Sequence, residues 1–234
     1  MKRRSLAARI ARWITTTILS VALGSVAIVA VFRWVPVPVT SFMINERLAD
    51  AGSPPLRQRH DWVTWTRISR HAAIAVIASE DQKFLRHDGF DFDAIGKAVT
   101  EAQRGRRLRG ASTISQQVAK NLFLWPGQSW VRKGLEVWFT VWIEFLWPKQ
   151  RILEVYLNSA QFGRGIWGVE AASRAYFGKD AAHLTRADSA LLAAVLPSPT
   201  RYRVVNPGPY VRERQTWILH QMSGVAKAGL LQGL

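Results

Sequence analysis

Residues 113–124 read TISQQVAKNLFL, and their spacing decides the fold class. Thr113, Gln116, Gln117 and Lys120 recur at i, i+3, i+4 and i+7 on one helical face, while Ile114, Val118 and Leu122 line another. Thr113 followed three residues later by Gln116 is a capping-box pattern that marks where the helix begins. The same period recurs outward in both directions, over 68–79, 132–147, 149–158, 169–177, 186–196 and 210–225. Pro148 and Pro197 close two of these segments, and Gly178 stands where a C-terminal cap belongs. No alternating pattern of useful length competes, so the chain is expected to be mainly α-helical.

Two of these helices carry polar groups that an apolar environment must account for. Glu80 ends the run HAAIAVIASE, four residues after Val76 and three after Ile77, so its carboxylate lies over the buried side of that helix. Desolvation and the negative end of the helix dipole both disfavour its ionised form, which moves the pKa toward that of a general base. The other helix is dominated by Leu135, Trp138, Phe139, Trp142 and Phe145, yet it also carries Arg132, Lys133, Glu136, Thr140 and Glu144. Charges on so apolar a helix need a partner or a wet cleft, although an i,i+4 pair of Arg132 and Glu136 could equally be structural.

At the other end of the chain, residues 13–32, WITTTILSVALGSVAIVAVF, are twenty consecutive residues without a charge. At about 1.5 Å per residue they cross the roughly 30 Å hydrocarbon core of a bilayer. Lys2, Arg3, Arg4, Arg9 and Arg12 precede them without an acid, which keeps the N-terminus cytoplasmic and sends the rest across. A cleaved signal peptide is disfavoured by the length of the segment and by Arg33, Trp34, Pro36 and Pro38, which stand where small residues would be needed. The expected organisation is a basic cytoplasmic tail over 1–12, a transmembrane helix over 13–33, a stalk over 34–61 with a short helix near 42–50, and one domain over 62–234.

Composition narrows the chemistry further. The 234 residues hold 32 Lys plus Arg against 16 Asp plus Glu, a net charge of +16, and no Cys. Thiolate zinc sites, disulfide scaffolds and cysteine nucleophiles are thereby excluded. The basic balance asks for an acidic partner, and beyond the cytoplasm lipid headgroups and lipid pyrophosphates fit better than nucleic acid. Asp81, His87, Asp91 and Asp93 cluster after Glu80, but their spacing matches no metal-binding pattern, so no protein-held metal is expected. Five of the eleven Trp fall between Trp125 and Trp147, a density that suits a membrane interface. The run Arg104, Arg106, Arg107 and Arg109 could hold headgroups beside them, or be a solvated loop.

Seven ordered segments resemble the motifs of the peptidoglycan glycosyltransferases, the glycan-polymerising family also fused to penicillin-binding proteins. EDQKFLRHDGFD at 80–91 is similar to the family's EDxxFxxHxGxD, and GASTISQQVAKN at 110–121 to its second motif, with Ala111 where a second Gly is commoner. RKGLE at 132–136 and KQRILEVYLN at 149–158 match the next two, and FGRGIWG at 162–168, YFGK at 176–179 and ALLAAVLPSP at 190–199 continue the order. The likeness is to the monofunctional members of Gram-negative bacteria, and no Ser is followed three residues later by Lys, so no transpeptidase activity is expected.

The resemblance implies a lysozyme-like glycosyltransferase fold behind one N-terminal transmembrane helix, in the bacterial inner membrane with the catalytic domain periplasmic. It implies polymerisation of lipid II through β-1,4 links with release of undecaprenyl pyrophosphate. Glu80 becomes the general base and Glu136 the second carboxylate, which organises cations or a divalent ion. Lys83, Phe84, Ser112, Thr113, Gln116, Gln117, Lys120, Asn121, Arg132 and Lys133 become substrate-binding residues. Asp81, His87, Glu154 and Asn158 become supports of the site, and Lys149 a framework residue within reach of substrate. No permanent cofactor is implied, only Mg or Mn arriving with the substrate pyrophosphate. The implied partners are lipid II, the growing lipid-linked glycan, the membrane, and cell-wall synthesis or division proteins. Two other classes compete: a membrane-anchored glycan-cleaving enzyme, which would need no cationic pyrophosphate site, and a non-catalytic envelope scaffold, which would need neither carboxylate.

Overall fold

The computed structural model describes residues 6–50, 57–105 and 112–227, so Lys2, Arg3, Arg4, Arg106, Arg107, Arg109, Gly110 and Ala111 lie outside the described residues. Among those described there are ten α-helices and a small sheet, which bears out the mainly helical expectation. The elements are α1 (Leu6–Phe32), α2 (Ser41–Ala49), β1 (Arg59–His60), α3 (Arg70–Glu80), α4 (Phe92–Gln103), α5 (Ile114–Phe123), α6 (Trp130–Leu146), α7 (Lys149–Ser159), β2 (Gln161–Gly163), β3 (Ile166–Trp167), α8 (Val169–Phe177), α9 (Arg186–Val195) and α10 (Pro209–Lys227).

Helix α3 is the centre. Every residue from Ala72 to Ala78 is buried, and α3 packs on α9, α10 and α7. Ala at 72, 73, 75 and 78 lets these helices approach closely, while Ile74, Val76 and Ile77 each contribute about 1.5–3 kcal/mol by burial. A second group forms around α5, which contacts α6, α7 and α2. The capping box at its start is present: Thr113 Oγ1 accepts from Gln116 N, and Gln116 Oε1 accepts from Thr113 N at 3.0 Å. Gly178 closes α8 in the left-handed conformation, φ 66°, as a C-terminal cap requires.

The sheet has the order β1-β3-β2, with β1 parallel and β2 antiparallel to β3. Strands of two or three residues are too short to leave an alternating signature, which is why the sequence shows none. They correct the reading of 34–61 as a stalk, because β1 belongs to the domain's sheet. Val37, Thr40 and Met43 are buried, and α2 packs on α5. The Glu46 carboxylate accepts from Gln161 Nε2 (2.7 Å), Gly165 N (3.0 Å) and Trp167 Nε1 (2.6 Å). The described part of this segment is thus a wall of the domain.

Helix α1 begins at Leu6, seven residues before the expected span, because Ala7, Ala8 and Arg9 are themselves good helix formers. It is long and apolar enough to cross a membrane. Its C-terminal end is fastened to the domain. Trp147 Nε1 donates to Val29 O (2.8 Å), Arg33 Nη1 to Leu146 O (2.6 Å), and Arg151 to both Phe32 O and Val35 O. Trp147 is therefore buried, whereas Trp130, Val131, Val141 and Phe145 of the same region stay exposed. The stretch after Asp93 is helical as far as Gln103; α4 buries none of its residues, so only its own amphipathic period marks it.

Candidate active site

Three connected clefts meet where the end of α3 faces α5. The widest, about 610 Å³, is lined by Glu80, Ser112, Gln117, Tyr210, Arg214 and Trp217, among others. It shares Glu80 and Ser112 with a second cleft of about 240 Å³ that also holds Lys83 and Lys97. It shares Gln117 and Pro197 with a third of about 210 Å³ that holds Lys120, Asn121 and Phe42. Glu80 is the last residue of α3 and stands at the junction.

The surroundings of Glu80 set its acidity. Burial raises its pKa, and Gln117, Arg214 and Lys120 pull the other way without reversing the shift. Gln117 Nε2 donates to Glu80 Oε2 at 2.9 Å, and Gln117 Oε1 in turn accepts from the hydroxyl of buried Tyr156 at 3.2 Å. Lys83, expected to bind substrate, lines the second cleft and pairs with Asp93 (2.7 Å) and Asp91 (3.6 Å).

A cationic cluster lies along α5 and α6. Glu136 is buried, accepting from Arg132 Nη1 at 3.3 Å and from Lys133 Nζ, its i−4 and i−3 neighbours. Arg132 Nε is itself buried with no partner among the described residues. Burial lowers the Lys120 pKa, the field of Glu136 opposes this, and Arg132 adds to the lowering. Among the described residues no carboxylate forms a direct ion pair with Lys120; its ammonium sits 5.7 Å over the Phe42 ring. A desolvated cation of this kind gains most from an arriving anion.

Several expected site residues have other duties. Phe84 is fully buried in the core, where it packs, and it lines none of the three clefts. Thr113 lines the cleft of about 240 Å³ beside Ser112, whereas Gln116 lines none of the three. Both are buried in the capping box, and the Thr113 hydroxyl spends its only proton on Gly89 O at 2.7 Å. Gly89, at φ +88°, allows this approach: a Cβ there would lie 2.8 Å from the Thr140 methyl. Ser112 stays exposed at the shared edge of two clefts, and Asn121 lines the third.

Asp81, His87, Glu154 and Asn158 bond within the frame around the clefts. Asp81 Oδ2 accepts from Ile114 N (3.1 Å) at the start of α5, and both its oxygens lie 3.0 Å from His87 Nε2. Asp81 thus ties the end of α3 to α5. Lys149 donates to His87 O (2.6 Å) and pairs with Glu144 (2.8 Å), a framework position away from the clefts. Asn158 is fully buried and exchanges hydrogen bonds of 2.9 Å with Val63 N and O, and Glu154 pairs with Arg151 at 3.0 Å. Tyr210, Arg214 and Trp217 escaped sequence reasoning. They lie in the 210–225 helix beyond the last motif, where only an aromatic–cation spacing of three to four residues marks them.

A recessed carboxylate of raised pKa beside a preassembled cationic cluster is the equipment of an enzyme that transfers a group from an anionic leaving group. The chain belongs to the transglycosylase family, whose model matches residues 46–223. It is 53% identical over 200 residues to the biosynthetic peptidoglycan transglycosylase of Pseudomonas aeruginosa, covering 85% of this chain and 86% of that protein. The proteins of the same name from Shewanella oneidensis (48% over 222 residues, 95% of each chain) and Xylella fastidiosa (53% over 213 residues, 90% and 87%) are similar too.

Proposed function

We propose that this chain is a peptidoglycan glycosyltransferase that joins lipid II units into β-1,4-linked glycan, releasing undecaprenyl pyrophosphate. The observation that carries the reading is the position of Glu80 in the wide cleft, bonded to the Gln117 that this cleft shares with the Lys120 cleft. Glu80 takes the proton of the acceptor sugar's 4-hydroxyl as that oxygen attacks the anomeric carbon of the donor, inverting it. General-base catalysis of this kind is worth about 10²–10⁴ in rate. Charge develops on the departing pyrophosphate, where Lys120, Arg132 and Lys133 stabilise it, and Glu136 holds the latter two in place. Gln117 orients Glu80 and its ionised form.

The expected Mg or Mn fits only as a companion of the substrate. Both oxygens of Glu136 are engaged by cations, and the described residues hold no group of three or more His, Asp or Glu suited to a metal. Any such ion is carried in by the pyrophosphate oxygens, and no step depends on a protein-held metal.

The same reading puts the protein in the bacterial inner membrane as a single-pass protein, with the N-terminus cytoplasmic and the catalytic domain periplasmic. Apolar α1 and the exposed Trp130, Val131, Val141 and Phe145 of α6 support it, since a domain dipping into the outer leaflet meets its substrate by the polyprenyl tail. Polymerisation of labelled lipid II by the full-length protein, beside Glu80→Gln, tests the reading. Long muramidase-sensitive strands from the wild type, reduced at least about 100-fold in the variant, are expected. Shortening of preformed glycan without polymer would make the protein a glycan-cleaving enzyme instead.

A further inference from the structure

Lys120 is the only charged group, among the described residues, that lines the cleft of about 210 Å³. Lys83, Lys133 and Lys149 each meet a carboxylate directly, at Asp93, Glu136 and Glu144. Lys120 instead has the face of Phe42, with its Nζ 5.7 Å from the ring centroid. The difference matters where an anion has to be received. A carboxylate cancels the charge it fixes, and the pair must be broken before another anion can use the cation. An aromatic face attracts the ammonium through its quadrupole and leaves the whole positive charge available. An ammonium has three donors, so those not turned to the ring remain for an incoming oxygen.

Phe42 is held where it stands by the seating of α2. Thr40 Oγ1 accepts from Met43 N at 3.2 Å at the head of that helix, Met43 is buried, and Glu46 makes its three bonds to the sheet region. Ser41, next to Phe42, shares its hydroxyl proton between Asn121 O (3.1 Å) and Leu124 O. These carbonyls end α5, where no further helical N–H satisfies them. Ser41 and Phe42 therefore grip a single turn of α5, one by its backbone and the other by the Lys120 side chain. We infer that Phe42 is a positioning residue for Lys120, keeping its ammonium aimed into the cleft without neutralising it. The inference rests on the proposed polymerase reading, in which Lys120 meets the departing pyrophosphate. A long lysine stem loses rotamer freedom when it is fixed, and the ring imposes that loss before the substrate arrives. The helix that follows the apolar α1 along the chain thereby takes part in the reaction.

The test is a double-mutant cycle in the full-length protein: wild type, Phe42→Leu, Lys120→Met and the two together, with Phe42→Tyr as the rescue. Leu keeps an apolar side chain and removes the ring. Two readouts are used: binding of inorganic pyrophosphate by calorimetry, a probe with no tail to pack on the ring, and the rate of lipid II polymerisation. Phe42→Leu should weaken pyrophosphate binding about two- to ten-fold, the worth of one cation–π contact, and slow polymerisation by a similar factor, while Phe42→Tyr recovers both. In the Lys120→Met background, where Arg132 and Lys133 still attract the anion, Phe42→Leu should change neither readout further. Equal losses with and without the Lys120 amine would make Phe42 a packing residue and overturn the inference. Unaltered binding and rate in Phe42→Leu, or no pyrophosphate binding by the wild type, overturns it too. A wild type that binds pyrophosphate with the same coupling but makes no polymer overturns the polymerase reading and leaves the role of Phe42 standing.

Discussion

Gln117 Nε2 donates to Glu80 Oε2 at 2.9 Å, and this bond is the main force holding the Glu80 pKa down against burial. The two residues come from different helices, α5 and α3, so the acidity of the base depends on how the two helix groups are held together. Removing the donor in Gln117→Ala leaves burial less opposed and raises the Glu80 pKa further. Because the base must be ionised, the acid limb of the pH profile of kcat/KM should move to higher pH. An acid limb that stays in place in Gln117→Ala would exclude Glu80 as the titrating base.

Glu80 also carries a stability cost with a definite sign. Its folded pKa lies above the unfolded value, so its contribution to stability is least favourable at high pH, where it is ionised in both states. The penalty is relieved as pH falls through the folded pKa and is gone below the unfolded one. Glu80→Gln removes the charge while keeping an acceptor for Gln117, and should stabilise the protein at neutral pH by on the order of 1 kcal/mol. Denaturant unfolding at neutral and acid pH measures this. The gain should shrink on acidification, and a variant less stable than wild type at neutral pH would contradict it.

These two helices were also the most legible part of the chain. The i, i+3, i+4, i+7 stripe of Thr113 to Lys120 and the apolar run ending at Glu80 are local patterns, and both helices and the capping box stand where that pattern puts them. Which polar groups of the stripe face the cleft is not local. Thr113 and Gln116 close the cap while Gln117 and Lys120 reach Glu80 and the cations, a division set by which residues of other helices face each of them. Around Val37 and His60 the short helix near 42–50 was legible, but its place in the domain was not, for a related reason. Its order comes from bonds to residues more than a hundred positions away, such as Glu46 to Trp167. The α10 lining of the wide cleft follows the same logic, since Arg214 is meaningful only beside Ser79.

Phe84 separates packing from substrate contact. Its side chain is wholly buried, with Lys149 Nζ 4.6 Å over its ring. Phe84→Ala should cost about 3–5 kcal/mol of stability through the cavity it leaves. Assayed well below its melting temperature, the variant should keep a wild-type KM for lipid II. A raised KM with unchanged stability would restore Phe84 to the binding surface.

Glu136 is only 3% exposed and is held by two cations, Arg132 and Lys133. Glu136→Gln keeps the shape and removes the charge that positions them. Breaking a fully buried pair costs about 3–5 kcal/mol, but Lys133 is 43% exposed and can turn to water, so a loss of about 1–2 kcal/mol is expected. The larger effect should be on kcat, about 10²-fold, because the cations lose their aim at the leaving pyrophosphate. Restored turnover at higher Mg concentration would instead make charge, and not aim, the missing quantity.

Arg151 joins the apolar helix to the domain. Its Nε and Nη2 donate to Phe32 O (3.0 and 2.8 Å), Nη2 also to Val35 O (2.6 Å), and Nη1 pairs with Glu154 at 3.0 Å. Phe32 O is among the last carbonyls of α1, which have no partner within the helix and sit at its negative end, so a guanidinium meets both needs. Arg33 answers from the other side by capping Leu146 O at the end of α6. Arg151→Met keeps the length of the side chain and removes every donor. Charge-assisted bonds are worth about 1.5–3 kcal/mol each, but they share one side chain, so a total loss of about 2–4 kcal/mol is expected. The contacts of α1 with α6 through Trp138 and Trp147 remain, so the helix should tilt more freely instead of detaching. Spin labels on exposed Leu23 and Arg212 in bilayer-reconstituted protein would report this as a broadened distance distribution. A distribution as narrow as wild type would mean that the α6 contacts alone fix the anchor and that Arg151 serves only the stability of the domain.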